Sequence, residues 1–172
     1  MLKSLAVRRI TWALLLLSTS CCLSATDTLP RLTGETLAGT HIVLPDALKG
    51  KPVLLVLSFA RAAEEQSRGW TEQLKKNNLG VERYNVLELE DVPRLFRGFV
   101  KSGIRKGVPE AAQGSFVLLY DNQEQLKKLT SFEKDYEVYV LLLDANGNIQ
   151  WREHGAVDEK KMAALGKELG KK

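Results

Sequence analysis

The chain has 172 residues, 44% of them apolar and 27% charged, with two cysteines, two histidines and a formal charge of +4. Ordinary glycine and proline content and the high apolar fraction exclude collagen-like, disordered and disulfide-stapled classes, and the length suits one domain with an N-terminal appendage. A cationic balance raises the question of nucleic acid, so where the excess charge lies matters.

Residues 1–25 carry Lys3, Arg8 and Arg9 and no acid. An apolar run over 10–23 follows, with Leu14 to Leu17 in a row, and Leu23-Ser24-Ala25 offers a small-residue exit before the first acid, Asp27. This pattern reads as a signal peptide, shorter than the roughly 20 apolar residues of a spanning helix. It implies an exported protein, periplasmic or extracellular, with mitochondrial import as the alternative. Cys21 and Cys22 both fall inside this segment, so cleavage near residue 25 leaves a domain, 26–172, without a thiol; lipidation of one of them is the competing reading. Without Lys3, Arg8 and Arg9, 22 cations face 21 acids. A global nucleic-acid footprint is then gone.

Along the mature chain, Gly34 and Gly39 punctuate short β-prone pieces, and 40–44 reads as an edge strand. Residues 46–50 make one helical turn, and the nearly continuous apolar run 53–59 reads as a strand buried on both faces. Over 62–77 the spacing of Ala63, Ser67, Trp70 and Leu74 predicts a helix with one inward stripe, although Gly69 lies in its middle. A strand is expected over 81–89, and Pro93 suits the first turn of a helix running to about 102. A loop at 107–114 precedes a third buried-type strand at 115–120 and a short helix at 122–129. Residues 138–143 and 149–153 flank an Asn146-Gly147 turn and form a hairpin. A helix at 158–169, with Met162, Leu165 and Leu169 inward, ends at Gly170. Strands alternating with helices imply an α/β domain: a central mixed sheet with helices on both faces.

Certain residues also carry a family resemblance. Leu44-Pro45-Asp46 before Leu48-Lys49-Gly50-Lys51, leading into the strand at Val53, resembles the start of exported thioredoxin-like and peroxiredoxin-like domains. Val140-Leu141-Leu142-Leu143-Asp144-Ala145-Asn146-Gly147-Asn148-Ile149 resembles their closing hairpin. The resemblance implies a thioredoxin-like three-layer sandwich with an N-terminal β-hairpin. In catalytic relatives a reactive cysteine begins the helix after the first buried strand, where helix-end amides stabilise a thiolate. Here Glu64 takes that place, Ser67 the resolving cysteine's, and Val138 that of the cis-proline. Redox catalysis is therefore not expected. Ser58-Phe59, Arg61 and the Gln66-to-Trp70 spacing are similar to a cysteine-free branch that includes the mitochondrial factor assembling the membrane sector of ATP synthase. That likeness implies a non-catalytic assembly or chaperone-like role, with no cofactor.

Two groups of residues are candidates for function. Arg61, Glu64, Ser67 and Arg68, with Val138, mark the degenerate active-site corner. They offer a small-molecule or peptide site as the alternative function, although Glu64 and Arg68 also fit a solvated i, i+4 pair. Arg94, Arg97, Lys101, Arg105 and Lys106 form a run of five cations with no acid. On a helix, Leu95, Phe96, Phe99 and Val100 share one face and the cations another, the pattern of a helix that meets an anionic membrane surface, a membrane complex or another protein partner. The competing expectation is a helix packed into the core by that same apolar stripe, its cations wet. Glu82, Glu88, Glu90 and Asp91 just upstream would then offset the field. His41 and His154 are far apart, so no metal centre is expected; Asp144 to Asn148 reads as a hairpin turn, not a calcium loop.

Overall fold

The computed structural model describes residues 27–170; the leader segment, with Cys21 and Cys22, lies outside the described residues. In chain order the strands and helices are β1 (Leu32–Thr36), β2 (His41–Leu44), β3 (Val53–Ser58), α1 (Glu64–Asn77), β4 (Glu82–Glu88), α2 (Arg94–Gly107), β5 (Phe116–Leu119), α3 (Gln123–Thr130), β6 (Val138–Leu143), β7 (Ile149–His154) and α4 (Glu159–Leu169).

β3 and β6 are apolar nearly throughout because they occupy the centre, covered on both sides. Period-two alternation divides their side chains between two cores. Val53, Leu55 and Leu57 with Tyr139, Leu141 and Leu143 enter one core, which Leu126 of α3 completes. Leu54 and Val56 with Val138, Val140 and Leu142 enter the other, against Trp70 and Leu74 of α1 and Met162 and Leu165 of α4. The inward stripes expected for α1 and α4 are therefore observed.

The open seven-stranded sheet has the order β2-β1-β5-β4-β3-β6-β7. The β3–β4 and β4–β5 pairs are parallel and the remaining pairs antiparallel. The N-terminal hairpin β1–β2 extends one edge, and Gly34 lets β1 approach β5: a Cβ there would stand 2.8 Å from the Leu118 carbonyl oxygen. At the other edge Asp144 shapes the β6–β7 turn by accepting from Asn146 N and Asn148 N, each at 2.8 Å, with Gly147 at φ +90°.

α2 departs from its expected bounds. It runs five residues beyond 102, to Gly107, and the expected loop after it contains a 3-10 turn, Glu110–Ser115. Gln113 fastens that turn to the helix, accepting from Arg105 Nε at 3.0 Å and donating to the Val108 carbonyl at 3.1 Å.

Candidate functional site

The degenerate corner is built by the end of β3, the start of α1 and the start of β6. Its residues point apart. The Arg61 and Glu64 side chains are 96% and 69% exposed and approach only to 3.8 Å, a geometry that contributes little. This i, i+3 contact takes the place of the expected Glu64–Arg68 pair, and Arg68 is itself exposed. Ser67 turns inward, donating from Oγ to Asn85 Oδ1 at 3.4 Å. Val138 is buried, and its N–H donates to Gln66 Oε1 at 3.2 Å. Gln66 thus spans the gap between the start of α1 and the start of β6.

Neighbouring groups tighten this joint. Trp70 Nε1 donates to the Gly155 carbonyl at 2.9 Å, tying α1 to the chain just after β7. Glu137 receives His154 Nδ1 at 2.8 Å and Lys134 Nζ at 3.2 Å; these partners, His154 foremost, hold its carboxyl below the usual range.

α2 reverses the arrangement expected of a packed helix. It buries no residue, while Leu95, Phe96 and Phe99 are 87%, 55% and 82% exposed. Two of its cations, Lys101 and Arg97, turn inward instead. Lys101 pairs with Glu35 of β1. Arg97 donates from Nε to the Val92 carbonyl at 3.0 Å and lays its guanidinium 4.6 Å from the centroid of the Tyr120 ring. Arg105 engages Gln113, while Arg94 and Lys106 are exposed.

The cause lies in the sheet beneath. Glu35 pairs in register with Leu118, Leu87 also pairs with Leu118, and Asn85 pairs with Phe116. By alternation these positions and Tyr120 share the face that α1 covers. That face is mixed here, with polar Glu35, Arg83, Asn85 and Tyr120 set among Leu87, Phe116 and buried Leu118. Asn85 Nδ2 and Arg83 Nε, two residues apart on β4, are buried donors without a protein partner, and burial lowers the Arg83 pKa. α2 accordingly turns a mixed side toward the sheet, with Arg97, Val100, Lys101 and Ile104 half-buried, and leaves Leu95, Phe96 and Phe99 outside.

The upstream acids do not offset α2. Glu88 and Asp91 accept from Gln123 Nε2 at 2.5 and 2.9 Å, and Glu90 accepts from Gln123 N at 2.8 Å, so the three serve the start of α3. Burial pushes the Glu88 carboxyl upward, and Glu82 pairs with Lys51. Gln66 as the closure of the corner is not among the residues the sequence singles out, whereas the outward course of Leu95, Phe96 and Phe99 agrees with a membrane- or partner-facing helix and goes against the core-packed expectation. The sequence signal against core packing of α2 is the charged Glu35 at a strand position beneath it. Among the described residues no group of His, Cys, Asp and Glu side chains is arranged to hold a metal, and no helix is long and apolar enough to cross a membrane.

A family model described as ATP10 protein matches residues 24–171. No curated protein sequence matches the chain significantly. Among solved structures, BsSco, a member of the Sco family of cytochrome c oxidase assembly proteins, aligns with a TM-score of 0.57 at 10% identity, over 86% of this chain and 96% of its own. Yeast Sco1 aligns with a TM-score of 0.57 at 13% identity, over 86% and 97%. The exposed lipoprotein thioredoxin Etrx1 of Streptococcus pneumoniae aligns with 0.54 at 16% identity, over 80% and 98%. At these identities the likeness establishes the thioredoxin-like fold and nothing narrower.

Proposed function

This chain belongs to the ATP10 protein family, and we propose that it is a redox-inactive assembly factor working through contacts with a membrane complex, the membrane sector of ATP synthase being the client the family suggests. The observation that carries the reading is the closed corner. Glu64 and Ser67 occupy the thiol positions, residues 26–172 contain no cysteine, and Gln66 takes the Val138 N–H. A carboxylate and a hydroxyl form no disulfide, so the fold's usual thiol chemistry has no agent there. The outward face of α2 serves as a contact surface in this reading, since large apolar side chains grouped in the open mark interaction sites. The segment 1–25 acts as a removable leader for export; mass spectrometry of the mature N-terminus checks it, with a start near residue 26 expected.

The decisive experiment removes the only thiols. In cells lacking the resident factor, full-length protein with Cys21→Ser and Cys22→Ser is expected to restore the membrane complex, read on native gels, as well as the unaltered chain does. Loss of assembly with normal protein levels, in a chain whose unaltered form carries no lipid by mass spectrometry, would overturn the redox-inactive reading.

A further inference from the structure

We propose that the outward face of α2 docks on an anionic bilayer surface, with Leu95, Phe96 and Phe99 entering the interface and Arg94, Arg105 and Lys106 reaching the headgroups. This deepens the reading of α2 as a contact face and rests on it. Three observations commit the surface to lipid. The first is charge: between Asp91 and Glu110 the chain has five cations and no acid, and with Lys101 and Arg97 held inward, Arg94, Arg105 and Lys106 stand exposed at the two ends of the helix, complementary to an anionic surface. The second is shape. The apolar side chains stand on the outside of a helix that buries none of its residues, whereas anchors of protein interfaces fill well-packed pockets. A fluid interface accepts such a protruding ridge without a prepared pocket.

The third is the design of the helix itself. α1, α3 and α4 each place an acid in the first turn, as the helix dipole favours. α2 has none, and begins with Arg94-Leu95-Phe96, a cation and two exposed apolar residues. In water each choice is unfavourable; against an anionic interface each is favourable. The inward anchors, Lys101 on Glu35 and Arg97 over Tyr120, meanwhile keep that face turned out. With 14 residues the helix is about 21 Å long, enough to lie along the surface with Arg94 at one end and Arg105 and Lys106 at the other.

Flotation of the full-length protein with protein-free phosphatidylcholine vesicles, with and without phosphatidylglycerol, tests this. Because every variant carries the same N-terminal segment, differences between them report α2. Leu95→Gln with Phe99→Gln is expected to lower partitioning onto the anionic vesicles roughly tenfold or more. Replacing Arg94, Arg105 and Lys106 by Gln should weaken it about fivefold per cation on anionic vesicles only. Tyr136→Gln, at another exposed aromatic, should leave it unchanged, and circular dichroism confirms that each variant is folded. Wild-type partitioning by the Leu95/Phe99 variant overturns the proposal. So does a wild-type chain that sediments with native membranes, loses them after protease stripping and ignores protein-free vesicles; that result assigns the face to a membrane protein. Failure to restore complex assembly with vesicle binding intact counts against the assembly reading alone.

Discussion

α1 and α2 have the same length, 14 residues, and lie over the same face of the sheet, yet opposite chemistry seats them. α1 lies over β3 and β6, whose Leu54, Val56, Val138 and Val140 give it an apolar bed, and it buries Trp70 and Leu74 there. α2 lies where the sheet offers Glu35 and Tyr120, and it is held by an ion pair, a cation–π contact and hydrogen bonds. Which stripe of an amphipathic helix turns inward is thus decided by the surface it meets. A strongly amphipathic pattern does not by itself show that the apolar side is buried.

The sharpest way to break this contrast is to truncate one large side chain on each helix. Trp70 is fully buried and gives its indole N–H to Gly155. Trp70→Ala is expected to cost about 3–5 kcal/mol in urea unfolding. Phe99→Ala, at a side chain 82% exposed, should stay within about 0.5 kcal/mol of the parent. Equal losses would mean that α2 is a core helix after all.

The anchor of α2 gives an intermediate effect. Lys101 and Glu35 have side chains 23% and 27% exposed, so their attraction is screened less than that of a surface pair but still reached by water. A double-mutant cycle with Lys101→Met and Glu35→Gln should return a coupling of about 1 kcal/mol. Zero coupling would show that the cations of α2 do not seat it, and would remove half of the contrast.

The same contrast explains what could be read from the sequence. The strands at 53–58 and 138–143 and the inward stripes of α1 and α4 were legible because their apolar residues are buried by short-range periodicity that a sequence displays directly. The seating of α2 was not. It depends on Glu35 of β1 and on Tyr120 just after β5, which come together only when β1 and β5 are placed side by side. Likewise Gln66 carried a recognisable spacing to Trp70, but its partner is a backbone N–H 72 residues away.

Glycine-to-alanine exchanges give the smallest effect and separate the helices by how they unfold. A Cβ on Gly69 of α1 would meet Val157 Cγ1 at 3.6 Å, ordinary contact, and one on Gly103 of α2 would meet nothing within 4 Å. Either exchange should stabilise its helix by about 0.5–1 kcal/mol through backbone entropy. α1 is joined to the core through Trp70 and Leu74, so Gly69→Ala should raise the global unfolding midpoint. α2 buries nothing, so its amides should exchange by local opening well below the global free energy. Gly103→Ala should therefore slow hydrogen exchange across α2 by roughly two- to fivefold while moving the global midpoint little. If Gly103→Ala instead raises the midpoint as much as Gly69→Ala does, α2 unfolds together with the core, and its attachment is as cooperative as that of α1 despite the mixed bed beneath it.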